Sequence, residues 1–146
     1  MSTRQGAAAD RRLGERLVAA GLVTAQQVDE ALRAQRQVRG SLGYHLLRLG
    51  KITPQALSAF IEDEVARGRL PHPSPPPGEP GLAALPARLA HLYNAYPLAV
   101  EGHRLLLALP PMHGDAVSAI GEATGRVVEP IILPARLLRE AIERDY

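Results

Sequence analysis

Between Arg12 and Glu64 the apolar positions fall at helical spacing, and the same pattern is written twice. Leu13, Leu17 and Val18 share one face of a short helix, and Val28, Ala31 and Leu32 share the face of a second. Leu42, Leu46 and Leu47, then Leu57, Phe60 and Ile61, repeat this arrangement. Beyond residue 80 the period shortens. Ala95 to Val100 and Arg104 to Leu109 predict two strands turning at Glu101-Gly102-His103.

The offset between the two copies is a constant 29 residues, with Arg12 to Gln35 answered without a gap by Ser41 to Glu64. Each copy predicts a helix, a glycine stop and a second, capped helix. Gly21 and Gly50 stand where a left-handed C-terminal cap would end the first helix. Thr24 with Gln27 forms a capping box for the second helix, and Thr53 does the same work with Pro54 at the first helical position. Two helical hairpins related by a local twofold or screw operation are expected.

The stretch LPHPSPPPGEP, residues 70–80, holds six prolines in eleven residues and predicts a semi-rigid extended linker. Pro73 and Pro76 would also fit a proline-recognition domain, but a spacer is the simpler reading. After it, a helix is expected over Leu82 to Tyr93, a helix over Asp115 to Thr124 ended by Gly125, a strand over Arg126 to Ile132 and a closing helix over Pro134 to Arg144. Pro130 should sit at a strand edge or end, where no ladder bond is lost. The expected class is α+β: residues 1–10 a flexible lead, 11–69 a helical tandem repeat, 70–80 the linker and 81–146 a small α+β domain.

Composition narrows what these elements can do. With 46% hydrophobic residues, one Phe, four Tyr and no Trp, the core must be built from Leu, Ala, Val and Ile, and stacking platforms for single-stranded nucleic acid are not expected. No cysteine means no disulfide, thiolate metal site or cysteine nucleophile, which suits the cytoplasm. No apolar run approaches a membrane span or the core of a signal peptide. Residues 1–70 carry ten Arg and Lys51 against seven acids, a balance of +4, whereas residues 71–146 stand at −2. Sixteen of the seventeen basic residues are arginine, which suits phosphate recognition and also suits a genome rich in G and C. No helix carries a dense basic face, so duplex DNA is not the expected partner.

Catalytic signatures are missing. The chain has no GxxxxGK[ST], no GxGxxG after a strand, no HExxH and no GxSxG. The five histidines are scattered, none paired at helical spacing, and surface or half-buried positions are expected for them. Glu62-Asp63-Glu64 reads as a solvated helix end. An enzyme is not expected, and neither cofactor nor metal is called for. What remains is Arg12, placed by the pattern immediately before a helix and beside Gly14, where an anion could be met. The same spacing is equally met by a solvated arginine and glycines that serve packing.

The string RLGERLVAAGLVTAQQVDEALRAQ resembles the 24-residue motif of the MshEN-type domain at the N-terminus of type II secretion and type IV pilus assembly ATPases. Two motifs separated by five residues are the family pattern, and Arg36 to Gly40 is a spacer of that length. The resemblance implies binding of cyclic di-GMP, with apolar motif residues against the ligand and Arg and Gln supplying polar contacts. The implied ligand set is Arg12, Leu13, Gly14, Leu17, Val18, Gly21, Leu22 and Gln35 in the first copy, and Arg39, Ser41, Leu42, Gly43, Leu46 and Leu47 around the second. Two guanines offer flat apolar faces and two phosphates need positive charge or amide donors.

The second copy departs from the motif at Ser41, Lys51 and Glu64, which stand for Arg, an apolar residue and Gln. A carboxylate at Glu64 would oppose an anionic ligand. The C-terminal pattern LPARLAHLYNAYPLAVEGHRLLLALPP also resembles the region C-terminal to this motif in those ATPases. The expectation is a non-enzymatic cytoplasmic regulatory module that binds cyclic di-GMP and docks on a secretion, pilus or motility protein, without inserting in a membrane. The rival is a docking adaptor whose repeat has lost its nucleotide.

Overall fold

The computed structural model describes residues 2–69 and 79–146, with side-chain placement from Asp10 to Arg69 and from Leu82 onward; the proline-rich residues 70–78 lie outside the described part. The first copy of the pattern folds as α1 (Ser2–Ala19) and α2 (Ala25–Gln35), the second as α3 (Leu42–Arg48) and α4 (Pro54–Ala66). Positions 29 apart adopt the same turns. Gly21 and Gly50 have φ of 76° and 71°, a left-handed conformation that glycine reaches without the Cβ penalty. In each turn the two crossed amide bonds of a Schellman cap are made: Leu22 N to Leu17 O at 3.1 Å with Gly21 N to Val18 O at 3.0 Å, and Lys51 N to Leu46 O at 2.8 Å with Gly50 N to Leu47 O at 3.0 Å. Thr24 and Thr53 then cap α2 and α4, each hydroxyl accepting an amide three residues on at 3.1 Å.

After the linker the helix expected over Leu82 to Tyr93 is two helices. α5 (Glu79–Ala84) and α6 (Ala87–Tyr93) are separated at Pro86, which has extended backbone as the N-cap of α6 and cannot continue a helix from behind. Asn94, left-handed at φ 54°, ends α6 and turns the chain into β1 (Tyr96–Glu101). β2 (Arg104–Leu109) returns antiparallel to β1, with an irregularity between Pro97 and Ala99. α7 (Ala116–Thr124) then crosses over to β3 (Val127–Ile132), which lies parallel to β2, and α8 (Ala135–Asp145) closes the chain. The order β1-β2-β3 makes β3 an edge, so Pro130 loses no ladder bond, as the sequence requires.

Side chains of the central strand alternate between two apolar faces. Leu105, Leu107 and Leu109 join Leu17, Leu42, Leu46 and Leu57 of the helices in one buried cluster, which also takes in Ile120 of α7 and Val128 and Ile132 of β3. Ala108, on the opposite face, packs with Tyr96 against Leu138, Ala141 and Ile142 of α8. The helices of the repeat and the sheet therefore share a core. Among the described residues no helix is long and apolar enough to cross a membrane.

Candidate functional site

The residues marked out by the repeat divide by what they touch. Leu17, Leu42 and Leu46 are fully buried in the shared core, and Leu13 and Leu47 lie half-buried against it. Gly14 and Gly43 are packing positions. A Cβ added at Gly14 would stand 3.0 Å from Val28 Cγ1 and 3.1 Å from Leu42 Cδ2, and one at Gly43 would stand 3.3 Å from Leu57 Cδ2. Their missing side chains let α1 approach α2 and α3, and α3 approach α4.

At the surface remain Arg12, Val18, Gly21, Leu22 and Arg39. Arg12 does not precede a helix. α1 begins at Ser2, so Arg12 sits within it and its amide is committed to the helix. Two features carry the helix that far back: the Ala7-Ala8-Ala9 run favours it, and Asp10, the natural place for a cap, spends its carboxylate elsewhere. Arg12 and Val18 point about 120° apart around α1 at 3.6 residues per turn. Val18 and Leu22 are 37% and 38% exposed, enough for a flat apolar ring to cover. Arg39 ion-pairs with Glu129 at 3.5 Å, a carboxylate that also receives Arg104 at 3.4 Å.

Each second helix ends on a polar side chain that reaches back to α1. Gln35, at the end of α2, donates to Asp10 Oδ2 at 2.6 Å and to Gly40 O at 3.0 Å. Asp10 in turn accepts the Leu42 amide at 3.2 Å, the first free donor of α3. Burial pushes the Asp10 carboxyl above its usual range, and the bonds from Gln35 and Leu42 work against that shift. The counterpart of Gln35, Glu64, corrects the expectation of a solvated acidic helix end. It is 2% exposed and accepts from Arg16 of α1 and, at 3.1 Å, from Arg69 just past α4. The Arg16 hydrogen bond holds the Glu64 carboxyl below the ordinary range, against burial.

Ser41 has more to do than stand in for an arginine. Its hydroxyl accepts the Tyr44 amide at 3.3 Å as N-cap of α3 and the Ile132 amide at 3.3 Å, and its own amide donates to Pro130 O at 2.8 Å. It therefore caps a helix and covers the open edge of β3. Lys51 pairs with Glu30 of α2 at 3.0 Å. His45, expected at or near the surface, is fully buried and donates from Nε2 to Val38 O at 2.7 Å, which leaves Nδ1 without a partner among the described residues. Burial lowers its pKa, which favours the neutral ring.

Asp10, Arg16 and His45 are the residues that sequence reasoning passes over. Asp10 has one signal, as the lone acid ahead of Glu15 in a basic segment. Arg16 and His45 occupy corresponding positions of the two copies, and their partners cannot be read from spacing. Among the described residues no cluster of His, Asp or Glu is placed to hold a metal ion.

Type IV pilus assembly ATPase PilB of Thermus thermophilus is 32% identical over 142 residues, covering 94% of this chain. PilB of Myxococcus xanthus is 28% identical over 137 residues, covering 92%. Over most of its length the chain is similar to a part of type IV pilus assembly ATPases. The resemblance carried by the repeat is thereby borne out at the level of the family. The chain spans only 16% and 24% of those two relatives' lengths. Among solved structures, that of MshE with cdg aligns at TM-score 0.46 and 24% identity, covering 92% of this chain and 98% of that one. The N-terminal domain of XpsE aligns at TM-score 0.46 and 23% identity, covering 94% and 97%. No family model matches the chain.

Proposed function

We propose that the chain is a non-enzymatic regulatory module of a pilus or secretion machine, which binds cyclic di-GMP through the first copy of its repeat and docks on a partner protein. The observation that carries the nucleotide part is the state of the first copy. Arg12 is exposed with no carboxylate within ion-pair distance among the described residues, while Val18 and Leu22 present apolar surface beside the Gly21 turn. A guanidinium for a phosphate and an apolar shelf for a guanine are thus both offered by the first copy, about 120° apart around α1. The non-enzymatic part is supported by the missing catalytic motifs.

A second reading, docking without nucleotide, is favoured by the second copy. Ser41 and Glu64 are spent on internal bonds, and Gln35 of the first copy is spent likewise. Titration calorimetry with cyclic di-GMP separates the two. Micromolar binding that Arg12→Ala weakens at least tenfold supports the sensor. The absence of heat at millimolar ligand sinks it and leaves the adaptor.

A further inference from the structure

Away from the repeat's glycine turns, α4, α6 and the loop between β2 and α7 enclose an open groove of about 650 Å³, continued under α3 by a second hollow of about 440 Å³. Pro54, Pro111 and Met112 line both, so the two form one trough. Met112, where the two hollows meet, and Leu92, in the larger one, are exposed to 73% and 66%, the two most exposed large apolar side chains among the described residues. Such side chains gathered along one concavity mark a surface that is covered in use.

The second hollow also carries donors. Arg48, in the last turn of α3, lines it and, like Arg12, has no carboxylate within ion-pair distance among the described residues. Tyr44 beside it has a hydroxyl without an acceptor among the described residues and a ring 5.6 Å from that of His113. A guanidinium and a phenol presented together, with no acceptor of their own, complement a carboxylate.

We infer that this trough is the docking site for a segment of a partner protein that presents large apolar side chains to Met112 and Leu92 and a nearby acidic side chain to Arg48. Charge complementarity at the Arg48 end chooses this occupant over a purely apolar one, and Glu62, at the far end, is already neutralised by Arg136 at 2.7 Å. The inference rests on the docking half of the proposed function and is independent of the nucleotide.

The test uses a library of random twelve-residue peptides displayed on phage, selected on the immobilised chain. Enriched sequences should combine Leu, Ile, Phe or Met with Asp or Glu at a fixed spacing. The best peptide, measured by fluorescence anisotropy, should bind at least tenfold more weakly to Met112→Asp and to Arg48→Glu, and selection on Arg48→Glu should exchange the acid for Lys or Arg. Both side chains are at the surface, and circular dichroism confirms that the variants are folded. No enrichment, a consensus without an acid, or affinity indifferent to both variants overturns the inference. So does concentration-dependent self-association abolished by Met112→Asp, which would make a second copy the occupant. Peptide binding without heat from cyclic di-GMP would leave this inference standing while the sensor reading fell, and the reverse result would do the opposite.

Discussion

Gln35 and Glu64 stand at the same position of the two copies and tie the same helix in opposite ways. Gln35 gives a neutral amide to the Asp10 carboxylate, whereas Glu64 is itself the carboxylate and receives Arg16 and Arg69. In each case one acid sits among donors, but the acid lies on α1 in the first copy and on α4 in the second. The repeat thus keeps an architectural contact, second helix to α1, while exchanging the side that supplies the charge. Among the described residues Arg12 of the first copy has no carboxylate within ion-pair distance, whereas the corresponding Ser41 of the second is bonded to the sheet.

The apolar layer should be indifferent to this exchange, and the largest effects test that. Leu17 and Leu46 answer each other and are both fully buried in one cluster. Leu17→Ala and Leu46→Ala should each cost about 3 kcal/mol, inside the usual range for large-to-small core changes, by urea denaturation. A difference above about 2.3 kcal/mol between them would break the equivalence of the two copies, since that is the spread of Leu→Ala costs among ordinary core sites. Arg16→Ala should come next, at about 2 kcal/mol, the scale of a hydrogen bond to a charged group, because it leaves the buried Glu64 with Arg69 alone.

The ties themselves should be told apart by pH. Glu64 has a carboxyl held low in the folded state, so the unfolded chain binds the proton more readily; its stabilisation is present above the ordinary carboxylate range and is lost as pH falls through the lowered value. Glu64→Gln should flatten that acid limb. Gln35→Glu should behave oppositely, since it sets a second carboxylate beside Asp10, whose pKa is already raised. The folded state then binds protons more readily than the unfolded one, so that variant should be weakest at neutral pH and recover as the solution is acidified. Thermal melts of both from neutral to acidic pH check the signs, and parallel curves would show that the charge exchange has no energetic consequence.

What the sequence disclosed was local. Gly21, Gly50, Thr24 and Thr53 act on neighbours within one turn, so spacing alone names their caps, and the apolar run that follows the Glu101-Gly102-His103 turn gives β2 to the residue. What it withheld depends on partners far along the chain. Arg16 and Glu64 are 48 residues apart, and Ser41 and Ile132 are 91 apart. For the same reason Leu17, Leu42 and Leu46 could be placed in a ligand set from the motif, while only packing shows that they face the core. The split at Pro86 is a local signal that lies too near the expected helix start to be weighed as a break.

The smallest effect bears on the exchange at positions 12 and 41. Replacing Ser41 by Arg restores the motif's residue type, yet the structure predicts a loss. The new side chain has no hydroxyl to accept from Tyr44 N and Ile132 N, and loss of a serine N-cap costs about 1 kcal/mol. Because Ser41 also covers the edge of β3, amide hydrogen exchange at Ile132 should quicken in Ser41→Arg. Arg12→Ala, at an exposed site within a helix, should change stability by no more than about 0.5 kcal/mol. If Ser41→Arg instead left both stability and the Ile132 amide untouched, the serine would be a vacated ligand position and nothing more. If it behaves as expected, the second copy was refitted to hold the repeat against the sheet, and any nucleotide must be met mainly by the first.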